Sequence, residues 1–148
     1  MNDNFEMVDI LLAEDSDADA EMTLRALRKS NIGNRVHRVR DGQEALDFLA
    51  RTGAYAGASP SRHLKLVLLD LKMPKVDGAE VLRRLRADET FRTLPVVVMT
   101  SSNEERDISQ SYLLGANSYV VKPIDFTQFA STVVEIGLYW IVTNRVPG

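Results

Sequence analysis

Four short, nearly continuous apolar runs constrain this chain most: Val8–Ala13, Leu64–Leu69, Val96–Met99 and Tyr119–Val121. All are rich in Val, Leu or Ile and shorter than ordinary helices, which suits strands buried on both faces of a parallel sheet. A fifth run, Arg35–Arg40, sets Val36 and Val39 among basic residues and reads as an edge strand.

The stretches between these runs have helical period and legible starts. Asp41-Gly-Gln-Glu44 and Asp77-Gly-Ala-Glu80 are capping boxes, and each leads into leucines at matching offsets, Leu46 with Leu49 and Leu82 with Leu85. Ser16 or Asp17 can cap a first helix carrying Ala20, Leu24 and Leu27. Ser102-Asn-Glu-Glu105 starts a fourth helix that stops near Gly115, and Asp125 starts the last, with Ile124 and Phe129 placed for a hydrophobic staple. Strand and helix alternate five times, so right-handed βαβ crossovers place helices on both faces of one parallel sheet. The segment Arg51–His63 is small and turn-forming and reads as a loose loop before the third strand.

Composition removes several classes of function. At 148 residues the chain has room for one core, and 45% hydrophobic with 26% charged residues excludes a disordered chain. A net charge of −3, from 18 basic and 21 acidic residues, argues against nucleic-acid binding by bulk electrostatics. The absence of cysteine excludes disulfides and thiolate chemistry. No run is long enough to span a membrane and the N-terminus carries no export signal, so a cytoplasmic protein is expected.

The unusual polar residues fall at strand ends. Glu14 and Asp15 follow the first strand, Asp70 the third, Thr100 the fourth and Lys122 the fifth. In an open parallel sheet all these ends lie along one edge, where ligands bind at the switch in strand order. Three carboxylates make a hard oxygen site suited to Mg²⁺, and they repel one another unless a cation and Lys122 compensate them. An ionised Asp in such a site can attack a phosphoryl group in line while Lys122 neutralises its oxygens. Asp17 and Asp19 extend the acidic run, but their simplest role is favourable charge in the first turn of a helix, outside the metal set. Arg83, Arg84 and Arg86 read as a solvated basic face, and His37 and His63 lie away from the acidic edge.

These residues resemble the receiver domain of two-component response regulators, through the acids of ILLAEDSDAD, the acceptor of LVLLDLKMPKVDG, the hydroxyl of VVVMTSS and the lysine and proline of YVVKP. The resemblance covers about residues 8 to 140. It implies a (βα)₅ flavodoxin-like fold with strand order 2-1-3-4-5 and Asp70 as phosphoacceptor. Glu14, Asp15, Asp70 and the backbone carbonyl of Lys72 would hold Mg²⁺, and Lys122 and Thr100 would contact the phosphoryl group. Thr100 and Tyr119 would form the switch, and the Lys122–Pro123 bond would be cis. The phosphoryl group would come from a sensor histidine kinase or a phosphotransfer protein, and output would pass through protein contacts, without enzymatic turnover.

One receiver domain over residues 1–148 is expected, with a short tail from 141 and no output domain. The long loop and the GLYWIV end of the last helix look similar to stand-alone regulators that partner phytochromes. On the last helix, Phe126, Phe129, Val133, Ile136, Gly137 and Trp140 form one apolar stripe, and Val134, Leu138 and Ile141 form a second. Together they exceed the roughly 100° that one core-facing side needs, so a homodimer through Val134, Leu138 and Ile141 is expected. The alternative from a different class is an aspartate-nucleophile phosphohydrolase of the haloacid dehalogenase type, which places a D-x-D motif after its first strand. Here the main acid follows the third.

Overall fold

The computed structural model describes residues 8–31, 35–57, 64–122 and 125–144. Strands β1 (Ile10–Ala13), β2 (Val36–Val39), β3 (Leu66–Leu69), β4 (Val96–Thr100) and β5 (Ser118–Val121) alternate with helices α1 (Asp17–Lys29), α2 (Gly42–Ala50), α3 (Gly78–Ala87), α4 (Glu105–Leu113) and α5 (Phe126–Gly137). The strands form one parallel sheet in the order β2-β1-β3-β4-β5, as expected for the flavodoxin-like fold.

Each central strand feeds two cores because successive side chains point to opposite faces. Leu11, Val67, Leu69, Val96 and Val98 pack with Phe48 of α2 and Val81, Leu82 and Leu85 of α3. Ile10, Leu12, Leu66, Leu68, Val97 and Met99 pack with Leu27 of α1 and Phe129 and Val133 of α5. The continuous apolar runs β1, β3 and β4 are therefore buried on both sides. The same expectation fails for β5, which is half-buried with Val121 exposed. As the last strand in the order it pairs with β4 alone.

Most helix starts are those written in the sequence. Ser16, Asp41, Asp77 and Asp125 accept backbone N–H bonds from Asp19, Glu44, Glu80 and Gln128. Ser102 departs from this pattern, since α4 begins at Glu105 with Glu104 as an uncapped N-cap. The Ser102 hydroxyl donates to Asp107 Oδ2 at 2.6 Å, and its oxygen accepts the Glu104 N–H at 3.4 Å in the turn before the helix. Ile124, and with it the staple, lies outside the described residues, as do His63 and Pro123 with its peptide bond.

The segment after α2 is less loose than its composition suggests. Arg51 takes a left-handed cap with φ of 57°, its guanidinium lies over the Phe48 ring, and a 3₁₀ turn at Gly53–Tyr55 buries Tyr55 against Phe48 and His37. The Tyr55 hydroxyl donates to Glu44 at 2.8 Å. An aromatic anchor outweighs the turn-forming residues around it.

Arg86 also departs from the expected solvated face. Its guanidinium donates to the carbonyls of Gly115, Phe91 and Leu94 and to Asn117 Oδ1, and that same oxygen accepts the Val96 N–H. Arg83 and Arg84 are the exposed pair, both bonded to Glu80. The two arginine–glutamate bonds hold the Glu80 carboxyl down at about 2.

Candidate phosphoacceptor and metal site

Strand register brings the site together. Ala13 pairs with Leu69, so Glu14 and Asp70 emerge side by side, and the Asp70 N–H donates to the Ala13 carbonyl at 3.1 Å. Thr100 pairs with Val121, and the Lys122 N–H donates to the Thr100 carbonyl at 2.8 Å. The order of the strands reverses between β1 and β3, which places the cleft over Glu14 and Asp70.

One carboxylate oxygen each from Glu14, Asp15 and Asp70 lie within 4.8 Å of one another. Glu14 and Asp70 are buried, Asp15 is exposed, and Thr100 is fully buried at the end of β4. Burial pushes the Glu14 carboxyl up to about 7, the Lys122 hydrogen bond opposes that, and the charge of Asp70 adds to it. Such a cluster of hard oxygens, crowded and incompletely neutralised, fits a divalent cation.

Lys122 answers part of that charge. Its Nζ lies 2.5 Å from Glu14 Oε1, 2.9 Å from Asp19 Oδ2 and 3.2 Å from Asp70 Oδ2. Burial alone would lower its pKa, but the bonds to Glu14 and Asp19 and the charge of Asp70 together raise it. It is a fixed ammonium facing the acid at the end of β3.

Asp19 is the residue the sequence reading left out. It was expected only to sit favourably at a helix start, and the structure brings its carboxylate to Lys122. A signal existed: side chains in the first turn of a helix tilt toward its N-terminus, and here that terminus opens onto the end of β1. Asp17 does stay outside, bonded to Arg38 Nη1 at 2.7 Å, and that guanidinium also holds the Glu14 carbonyl.

A second missed set lies on the rim. Lys72 stands there beside Asp70. Its exposed ammonium is paired with the buried Asp107 at 3.5 Å, and its N–H donates to Asp70 Oδ1 at 3.3 Å. The Tyr119 hydroxyl donates to the Ser102 carbonyl at 2.8 Å, so the segment after Thr100 is tied to both α4 and β5.

On the last helix, Phe129, Val133 and Gly137 are buried. Val134 and Ile141 of the second stripe are partly buried against the α1–α5 core, whereas Leu138 is 45% exposed and Tyr139 50% exposed. Beyond Gly137, Leu138–Thr143 widen into a π turn, closed by the Asn144 N–H on the Tyr139 carbonyl, and Trp140 and Ile141 still pack against that core. The Phe126 side chain lies outside the described residues.

Comparison with known proteins gives the family. The response regulator receiver domain family matches residues 10–134. The probable methanogenesis regulatory protein FilR2 of Methanothrix harundinacea is 43% identical over 139 residues, which cover 94% of this chain and 87% of that protein. The solved phosphorylated cyanobacterial phytochrome response regulator RcpA is 40% identical with a TM-score of 0.86, covering 95% of this chain and 99% of its own. The Mn(2+)-bound form of response regulator Rcp1 is 36% identical with a TM-score of 0.85, over 94% and 98%. The haloacid dehalogenase alternative finds no support, since the family matched over residues 10–134 is the receiver domain. A parallel 2-1-3-4-5 sheet with acids, hydroxyl and lysine on one edge, joined to these likenesses, means that the chain belongs to the response regulator receiver family of two-component phosphorelay signalling.

Proposed function

We propose that Asp70 is the phosphoacceptor of a single-domain response regulator that works with Mg²⁺ and signals through protein contacts. The observation that carries this reading is that Asp70, buried at the end of β3, faces Lys122 Nζ at 3.2 Å and lies within metal-sharing distance of Glu14 and Asp15.

An Asp70 carboxylate oxygen attacks phosphorus on a histidine of the donor. The new O–P bond forms as the N–P bond breaks, and the imidazole nitrogen leaves with the electron pair. Lys122 supplies fixed positive charge to the phosphoryl oxygens, and the Thr100 hydroxyl donates a hydrogen bond to one of them. Mg²⁺, held by Glu14, Asp15, Asp70 and the Lys72 carbonyl, would neutralise charge on the transferred group. Beyond phosphotransfer and slow autodephosphorylation no turnover follows, so the chain is a signalling acceptor and not an enzyme. Rcp1 takes Mn(2+) and RcpA serves a phytochrome, which supports a divalent cation and a phytochrome-type sensor kinase for this chain. Movement of Thr100 toward the phosphoryl group would release Tyr119 from Ser102 and change the α4–β5–α5 face. No described helix is long and apolar enough to cross a membrane. We place the protein in the cytoplasm with its kinase, without a nucleic-acid partner.

The test is labelling by a small phosphodonor. Wild type takes up about one phosphoryl group per chain with Mg²⁺ and none in chelator, and Asp70→Asn takes up none while keeping its circular dichroism. Chelator-resistant labelling, or labelling of Asp70→Asn, overturns the reading.

A further inference from the structure

Lys122 has one more anionic partner than the metal cluster supplies. A lysine ammonium has three N–H donors, and here they meet Glu14, Asp19 and Asp70. Glu14 and Asp70 belong to the carboxylate trio that fits a cation, whereas Asp19 does not. Asp19 also stands on a different support. It lies in the first turn of α1, where its N–H donates to Ser16 Oγ at 3.2 Å and its carbonyl accepts from Thr23 Oγ1 at 2.9 Å. Its side chain is 30% exposed, against 4% for Glu14 and 9% for Asp70.

Were Glu14 and Asp70 engaged by a divalent cation, the ammonium would share their charge with it and would have a positive neighbour. A buried lysine whose anionic partners are shared with a cation is held in place better by a further anion. Asp19 is that anion. With Asp19 retained, two N–H groups of Lys122 remain to face phosphoryl oxygens.

We propose that Asp19 is a positioning residue for Lys122, keeping the ammonium beside Asp70 while Glu14 and Asp70 are engaged by metal and phosphoryl group. The proposal rests on the reading of Asp70 as phosphoacceptor and assigns to α1 a part in the reaction beyond capping its own first turn.

The experiment compares wild type, Asp19→Asn, Asp19→Glu, Lys122→Ala and the double variant Asp19→Asn/Lys122→Ala. One readout is the rate of labelling by a small phosphodonor at saturating Mg²⁺. A second is the Lys122 ammonium resonance in ¹⁵N-labelled, Mg²⁺-loaded, unphosphorylated protein. Asp19→Asn is expected to slow labelling about tenfold, the effect of losing one charge-assisted hydrogen bond, and to broaden the ammonium signal by exchange with water. Asp19→Glu restores both in large part. In the Lys122→Ala background the Asp19→Asn change has no further effect, because the group it acts through is gone. Wild-type rate and signal in Asp19→Asn overturn the proposal. So does an equal slowing in both backgrounds, which would make Asp19 act on the metal or on α1 itself. Failure of wild type to label at all sinks the phosphoacceptor reading instead, and the ammonium signal then still decides whether Asp19 holds Lys122.

Discussion

At the scale of single residues, the site depends on backbone approach as much as on charged groups. Gly78 opens α3 directly behind Asp70, and a Cβ there would lie 2.2 Å from the Asp70 carbonyl oxygen and 2.7 Å from Leu71 Cα. Gly42 opens α2 in the same way, where a Cβ would lie 1.8 Å from the Val76 carbonyl oxygen. Neither glycine is needed for an unusual φ; both let a helix start touch the chain that follows β3. The similarity of Asp41-Gly-Gln-Glu44 and Asp77-Gly-Ala-Glu80 reads from sequence as two like helix caps, and that holds, but the glycine in each serves a contact no periodicity reveals. Gly78→Ala is expected to cost about 1–3 kcal/mol, since backbone and not a pliable side chain must yield, and to slow Asp70 labelling in the folded protein. Urea unfolding and phosphodonor kinetics measure the two effects. A stability and rate equal to wild type would show that the loop accommodates the methyl freely.

At the scale of elements, the cap rules located α1, α2, α3 and α5 because each acid or serine is bonded within three residues. They misplaced the start of α4 because Ser102 Oγ accepts the N–H of Glu104, two residues on in a turn before the helix, while its hydroxyl donates to Asp107 and holds that carboxyl down. Arg86 was misread for a related reason. Helical spacing puts it next to Arg83 and Arg84, yet the carbonyls it satisfies come from the α3–β4 connection and from the turn after α4. Arg86→Ala leaves those carbonyls short of a donor and is expected to lower stability by about 2–3 kcal/mol. Arg86→Lys recovers only part, because one ammonium cannot span the fork of acceptors. The clamp grips the residues leading into β4 and β5, at the end of the sheet away from Asp70. Metal-dependent labelling of the folded variant is therefore expected to match wild type. A lowered urea midpoint with unchanged slope is the signature, and an unchanged midpoint counts against it.

At the scale of the whole molecule, the remaining question is what covers the end of the last helix. Val134 and Ile141, expected at an interface, are drawn partly into the α1–α5 core, and Leu138 and Tyr139 are the exposed large apolar side chains there among the described residues. The homodimer proposal therefore narrows to an isologous contact centred on Leu138, with Tyr139 beside it. Leu138→Glu is expected to reduce the sedimentation mass from two chains to one, since a charge would be buried at the centre of the contact, while Asp70 labels as in wild type. A wild type that sediments as one chain at high concentration, phosphorylated or not, removes the dimer.

Alternating apolar runs and helix caps were legible in the sequence because they act between neighbours along the chain: five strands, five helices, two buried faces per central strand, and acids, hydroxyl and lysine at strand ends. The resemblance added the order 2-1-3-4-5, which periodicity alone leaves open. Tertiary structure alone decided which groups pair. Register set Glu14 against Asp70, the tilt of the first turn of α1 carried Asp19 to Lys122, and the ends of several elements converged on Arg86. These contacts join residues far apart in sequence, and their geometry exists only once the sheet has assembled. Residue type and spacing thus determined the available chemistry, and the packed sheet determined which atoms meet to perform it.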